Sequence, residues 1–188
     1  MDSKQATEKI KALLEQGWIA RREDDYHDAQ QIATEAYKLC EEHRLKEPFA
    51  KVLKFQAQID HDTDNLRDAL TNYEKALDIF RQLKERDREA HTLRHMGDIY
   101  RELDELIKAE SYYNDALDLY RNNKETNPID LANTLRGLAL IREQKPDESN
   151  EIALWEEALE LYRDVNIQAG VDECLQKIEQ LGSKKDLK

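Results

Sequence analysis

The chain repeats itself with a period of about 40 residues. The strings EAYKLC, KALDIF, DALDLY and EALELY place an alanine at one phase, at Ala36, Ala76, Ala116 and Ala158. The period is nearly constant along the chain, with a small excess before the last of these alanines. A fixed period of this size is typical of stacked structural units, each too small to bury its own apolar face. The repeat therefore favours a helical binding scaffold over an enzyme with one deep pocket.

Each unit is predicted to be a pair of antiparallel helices. In the third unit, apolar residues recur at helical spacing over about 88–103 and again over about 106–121. A short polar turn around Asp104 separates these two segments. Pro128 precedes the first helix of the fourth unit, a position that suits its fixed backbone angle. The other units follow the same layout, and the fourth is predicted to turn at Pro146 and Asp147.

The repeat predicts the boundaries of the units. They are expected at 4–45, 48–85, 88–125 and 129–166. A ninth helix over 170–181 is expected to cap the last unit and to cover its apolar edge, because Leu175 and Ile178 keep the phase of the core. Gly182 is a stop signal for that helix, and 183–188 is expected to be a flexible tail.

The small and aromatic positions of the third unit carry a family resemblance. The unit reads Leu93-x2-Met96-Gly97-x2-Tyr100, and continues Ala109-x3-Tyr113 and Ala116. This pattern closely resembles the tetratricopeptide repeat (TPR), W-x2-L-G-x2-Y…A-x3-F. Matching phases recur in the other units, with a period longer than the usual TPR length.

The resemblance covers nearly the whole chain and implies an all-α fold. The expected architecture is a right-handed α-α superhelix, a TPR solenoid of four helix-turn-helix repeats plus a C-terminal capping helix. It is expected to form a single domain over 1–182 that resembles the longer variant of the TPR.

Composition and motifs argue against several classes of function. The net charge of −12 opposes binding to nucleic acid and to anionic membranes. No paired catalytic carboxylates, nucleophile elbow or phosphate-binding glycine loop is present, so the chain is predicted not to be an enzyme and to need no cofactor. The start of the chain lacks the pattern of a signal peptide, and Cys40 and Cys174 lie far apart, which favours a reduced, cytoplasmic location.

The surface that could carry function follows from the resemblance. In TPR arrays the first helices of successive units line a concave groove, and here that stripe carries more basic than acidic residues. Lys54, Arg94 and Arg136 share one phase and are expected to form a basic column, while Trp18 and Phe55 supply aromatic surface. The predicted peptide-binding residues are Lys11, Trp18, Lys51, Lys54, Phe55, His91, Arg94, His95, Arg101, Asn133 and Arg136.

This groove predicts a scaffold that binds an acidic peptide or partner segment. Arginine can hold a carboxylate through two parallel hydrogen bonds, and a concave charged surface attracts anions. Two alternatives remain open, a self-associating structural module such as a homodimer and a sensor of a small molecule or signalling peptide. A metal site at His91, His95 and Asp98 is also conceivable from helical spacing, but chance occurrence of such pairs favours no metal.

Overall fold

The computed structural model describes residues 1–144 and 150–185. Over these residues the chain forms nine consecutive α-helices, which confirms the all-α prediction. The predicted turn at Pro146 and Asp147 lies outside the described residues. The helices are α1 (Ser3–Arg22), α2 (Tyr26–His43), α3 (Lys46–Asp62), α4 (Leu66–Leu83), α5 (Arg86–Glu102), α6 (Leu106–Arg121), α7 (Pro128–Arg142), α8 (Glu151–Asp164) and α9 (Gln168–Lys185).

The helices belong to two compact units, Met1–Thr92 and Leu93–Lys188, and the division falls within α5. In the first unit, α1 packs on α2, α3 packs on α4, and α3 also contacts both α1 and α2. In the second unit, α6 packs on α7, α7 on α8, and α8 on α9. Within each unit, these helices therefore bury their apolar stripes against sequence neighbours.

The turns repeat as regularly as the helices. Asp24, Asp64 and Asp104 recur with the period of the sequence, and each has a left-handed backbone with φ of 60°, 62° and 59°. Aspartate enters this region more readily than most residues because its short polar side chain can hydrogen-bond locally. Arg44 and Lys84 occupy the turns between pairs, at the same period, with φ of 53° and 60°. The left-handed backbone angles of the turns therefore repeat with the same period as the sequence.

Small residues allow the helices to approach closely. The four repeated alanines are completely buried, as the period predicts. Tyr113 of α6 fits between Gly97 of α5 and Gly137 of α7. A Cβ atom would lie 2.9 Å from the tyrosine ring at the first glycine and closer still at the second. These glycines therefore let the ring of Tyr113 pass between two helices.

The last helix differs from its predicted bounds. It begins at Gln168 and continues through Gly182 to Lys185. Gly182 does not adopt a positive φ, so it does not stop the helix. Ile178 packs against the core, but Leu175 is 44% exposed. Among the described residues no further helix covers the side of α9 that carries Leu175. Leu175 therefore faces outward although it has the phase of a core residue.

Candidate peptide-binding surface

The predicted groove residues are shared between the two units. Lys11, Trp18, Lys51, Lys54, Phe55 and His91 belong to the first unit, on α1, α3 and the start of α5. Arg94, His95, Arg101, Asn133 and Arg136 belong to the second unit, on α5 and α7. Arg101 is half-buried at the end of α5, and His91 is half-buried in the first unit.

A pocket of about 210 Å³ opens between α1 and α3 of the first unit. Its wall combines apolar side chains with charges of both signs, two lysines and two glutamates. The pocket is large enough to accept one sizeable apolar side chain, because its volume is comparable to that of a leucine or phenylalanine residue. The residues that line this pocket, named here the α1–α3 pocket, are Thr7, Ile10, Lys11, Leu14, Glu15, Trp18, Glu47, Pro48 and Lys51.

Phe55 does not belong to this surface, contrary to the sequence prediction. Its side chain is fully buried with Ala20, Ala29 and Ile59. Gly17 of α1 makes room for it, since a Cβ atom there would lie 2.6 Å from the phenylalanine ring. Phe55, expected as a groove aromatic, is therefore a core residue, because Gly17 on the neighbouring helix leaves space for its ring.

Trp18 is half-buried and is held from two sides. Its ring packs on Phe55 with centroids 5.2 Å apart and planes tilted by 46°. The guanidinium of Arg21 lies 5.2 Å from the Trp18 ring centroid, within range of a cation–π interaction. Arg21 in turn donates two hydrogen bonds to Asp62 of α3, with lengths of 2.5 and 2.9 Å. Phe55 and Arg21 therefore hold the Trp18 ring in place, and part of the ring remains exposed.

Charged side chains surround the rest of this pocket. Lys51 forms an ion pair with Glu47, one helical turn earlier on α3. Arg88 Nη1 lies 3.3 Å from the same Glu47 oxygen and also pairs with Glu85. Lys11 is exposed at the rim. Glu47 thus sits between two cations at the edge of the α1–α3 pocket.

In the second unit, Arg94 is part of a buried ionic cluster. It is only 8% exposed, and it donates a hydrogen bond of 2.9 Å to Asp98. His95 Nε2 lies 2.9 Å from Arg94 Nη2, and Tyr113 donates a 2.6 Å hydrogen bond to Asp98. Asp130 of α7 approaches Arg94 at 3.9 Å. Arg94 therefore has carboxylate partners within its own unit.

The partners of Asp98 fix its charge. Burial raises its pKa, but the hydrogen bond from His95, the charge of Arg94 and the hydroxyl of Tyr113 outweigh that effect and lower the pKa to about 2. Burial raises the pKa of Tyr113, as does the charge of Asp98, so the hydroxyl stays protonated and donates. The cluster is thus a stable ion pair at neutral pH.

Arg136 is also engaged. It donates two parallel hydrogen bonds to Glu173 of α9, with lengths of 2.7 and 2.8 Å. Asn133 accepts a 2.6 Å hydrogen bond from Tyr162 of α8. The arginines of the expected basic column therefore have carboxylates from neighbouring helices beside them, Asp130 near Arg94 and Glu173 paired with Arg136. The helical phase of the first helices alone did not predict these two carboxylates.

Two other kinds of site are absent from the described part of the chain. No group of three His, Cys, Asp or Glu side chains within residues 1–144 and 150–185 is placed to hold a metal ion. None of the helices in those ranges combines the length and apolar character that crossing a bilayer requires.

The repeat period, the small residues between helices and the packing of each pair indicate one family. Residues 49–122 match the tetratricopeptide repeat family. This segment is therefore TPR-type, and the chain as a whole has the fold of a TPR solenoid. The longer period and the helix pairs outside this segment agree with that assignment. No curated protein matches the sequence.

Solved structures share the fold of this chain at low sequence identity. BtubC (BKLC) from P. vanneervenii is 17% identical with a TM-score of 0.71, over 94% of this chain and 82% of that one. A STAND signal-transduction ATPase with a tetratricopeptide repeat sensor, from Pyrococcus horikoshii, is 17% identical with a TM-score of 0.78, over 95% and 30%. Aspartyl phosphate phosphatase F from Bacillus subtilis is 13% identical with a TM-score of 0.79, over 96% and 51%.

The α1–α3 pocket also includes functional candidates that the repeat pattern did not single out. Glu47 and Pro48 lie at the start of α3 and form one wall of the α1–α3 pocket. The spacing of four between Glu47 and Lys51 is a signal for an ion pair on a helix and could have been read from the sequence. The pairing of Arg21 with Asp62 could not, because it joins two helices.

Proposed function

We propose that this TPR protein is a non-catalytic interaction scaffold that binds an acidic segment of a partner protein at the α1–α3 pocket. The observation that carries this proposal is the pocket itself, where the half-buried Trp18 lies beside Leu14 and Pro48 with lysines at the edge. An apolar side chain of the ligand would fill the pocket, because a concave apolar site with a few polar groups is the usual form of a binding site.

Several cations in and beside the pocket can bind the carboxylates of an acidic ligand. Lys11 and Lys51 line the pocket, Lys54 follows Lys51 by three residues on α3, and Arg88 lies next to Glu47. Carboxylates of a bound segment would interact with these cations and would steer the encounter. Arg94 and Arg136 are expected to contribute less than the sequence suggests, since Asp98 and Glu173 already pair with them.

A role as a sensor of a small molecule or signalling peptide is the second candidate. It is favoured by the likeness to the STAND ATPase, whose repeats are described as a sensor. A homodimer is the third, and the outward-facing Leu175 on α9 favours it. The free and buried Cys40 and Cys174 suit a reducing, cytoplasmic location.

The test uses two capped pentapeptides, one with a central leucine flanked by aspartates and one with asparagines in their place. Trp18 fluorescence in a Trp155→Phe background reports binding to the full chain. We expect the acidic peptide to bind more tightly, and Trp18→Ala to lower its affinity, measured by calorimetry, by ~30-fold, as for a central aromatic anchor.

Lysine variants test the ionic part. Lys11→Glu and Lys51→Glu should each weaken binding of the acidic peptide several-fold, and Lys108→Glu on α6 is the matched control that should not. Equal affinity of wild type and Trp18→Ala would refute the proposed site. A mass that rises with concentration in light scattering, without peptide binding, would favour the homodimer.

A further inference from the structure

Glu47 is an acidic residue of the α1–α3 pocket that contacts two cations. Its Oε1 atom pairs with Lys51 Nζ and lies 3.3 Å from Arg88 Nη1. Its side chain is about one third exposed, as is that of Lys51, so the pair lies at the pocket edge and within reach of a ligand. A carboxylate therefore already occupies the place where a carboxylate of an acidic ligand would be bound.

The lining of the α1–α3 pocket carries equal numbers of positive and negative charges. It includes two lysines, Lys11 and Lys51, and two glutamates, Glu15 and Glu47. The pocket lining by itself is thus neutral, and Arg88 is a further cation beside Glu47. An acidic ligand must displace Glu47 from Lys51 or share the lysine with it. Two carboxylates bound to the same ammonium group lie close together and repel each other.

We infer that Glu47 sets the ligand charge preference of the α1–α3 pocket by acting as an internal competitor for the ligand's carboxylate. The inference rests on the proposed function. With Glu47 present the pocket discriminates weakly between acidic and neutral segments, so its apolar anchor site carries most of the affinity. With Glu47 neutralised, Lys51 and Arg88 can interact more strongly with the ligand, and the preference for acidic segments rises.

A purely structural role for Glu47 predicts the opposite result. Glutamate four residues before lysine on a helix forms a stabilising pair, and an acid in the first turn suits the positive end of the helix dipole. If Glu47 only holds Lys51 in position for the ligand, its removal would loosen Lys51 and weaken binding of the acidic peptide. The direction of the change in affinity therefore separates the two roles.

The experiment compares Glu47→Gln with wild type, using the acidic and the asparagine pentapeptides and the fluorescence of Trp18. Glu35→Gln is the matched control, because Glu35 pairs with Lys9 on another surface of the same unit and its loss changes the net charge equally. We expect Glu47→Gln to tighten binding of the acidic peptide about three- to fivefold, in line with the strength of exposed ion pairs. Binding of the asparagine peptide should stay within about twofold, and Glu35→Gln should change neither.

Each other outcome has a definite meaning. Unchanged or weaker binding of the acidic peptide to Glu47→Gln, with wild-type binding intact, would overturn the inference and leave the proposed function standing. An equal gain with Glu35→Gln would also overturn it, because net charge alone would then explain the change. If neither peptide binds to wild type, the proposed function fails and the inference fails with it.

Discussion

Asp98→Asn tests the buried ionic cluster of the second unit. Asp98 accepts hydrogen bonds from Arg94 and Tyr113, and His95 Nδ1 lies 3.5 Å from it. The side chain of Arg94 is 10% exposed, and Asp130 at 3.9 Å is a second carboxylate beside it. Removing one partner of a buried ion pair costs about 3–5 kcal/mol, because the remaining charge stays desolvated. We expect about 3 kcal/mol, the lower end of that range, since Asp130 compensates in part.

The lowered pKa of Asp98 gives an independent magnitude and a pH dependence. A folded-state pKa of about 2 against an ordinary value of 3.8 is worth about 2 kcal/mol of stability. Because the folded-state pKa is depressed, this stabilisation is fully present above pH ~4 and is lost as the pH falls toward ~2. About half of it should remain at pH ~3, so the difference between wild type and Asp98→Asn should shrink there.

Urea unfolding measures both effects. Trp155 lies in the second unit and is fully buried, so its fluorescence in a Trp18→Phe background follows that unit. The matched control is Glu157→Gln, which removes an exposed ion pair with Arg121 and should cost less than about 1 kcal/mol. A loss below about 1 kcal/mol for Asp98→Asn at neutral pH, or a loss that is the same at pH ~3, would refute the reasoning.

Two further predictions concern packing and cysteine reactivity. Gly137→Ala should destabilise the protein by about 1–3 kcal/mol, because its Cβ would overlap the ring of Tyr113, whereas Gly182→Ala should raise the melting temperature, since nothing lies within 4 Å and alanine favours a helix. A calorimetric scan that shows the reverse order would contradict the packing argument. Burial raises the pKa of Cys40 to about 12 and that of Cys174 to about 11, so a thiol reagent at mildly alkaline pH should react slowly with the native protein and rapidly in denaturant. Fast labelling of the native protein would contradict the buried thiols.

Helix pairs and turns were predictable because they depend on local patterns. The period of the repeat placed the left-handed turn residues Asp24, Asp64 and Asp104 in register. The period also identified the alanines at the contacts between helices. Gly182 shows the limit of a local signal, because a glycine ends a helix only where the backbone enters a left-handed conformation, and here α9 continues.

The candidate site was predictable only in part. Trp18 and Lys51, two of the predicted groove residues, line the same pocket. Phe55 shares the same stripe by phase but is buried, since Gly17 on α1 leaves space for its ring. A helical wheel shows which face of a helix carries a residue. It does not show how far that residue is buried, because burial depends on the space that the neighbouring helix leaves.

Spacing along the chain was enough to predict the repeat, the helix pairs, the turns at Asp24, Asp64 and Asp104, and the close contacts made by small residues. Ion pairs that join two helices became visible only in the folded structure. Arg136 pairs with Glu173, and Arg21 with Asp62, between residues that lie 37 and 41 positions apart in the chain. Such pairs depend on the register between neighbouring helices, and that register is set by side-chain packing rather than by the period.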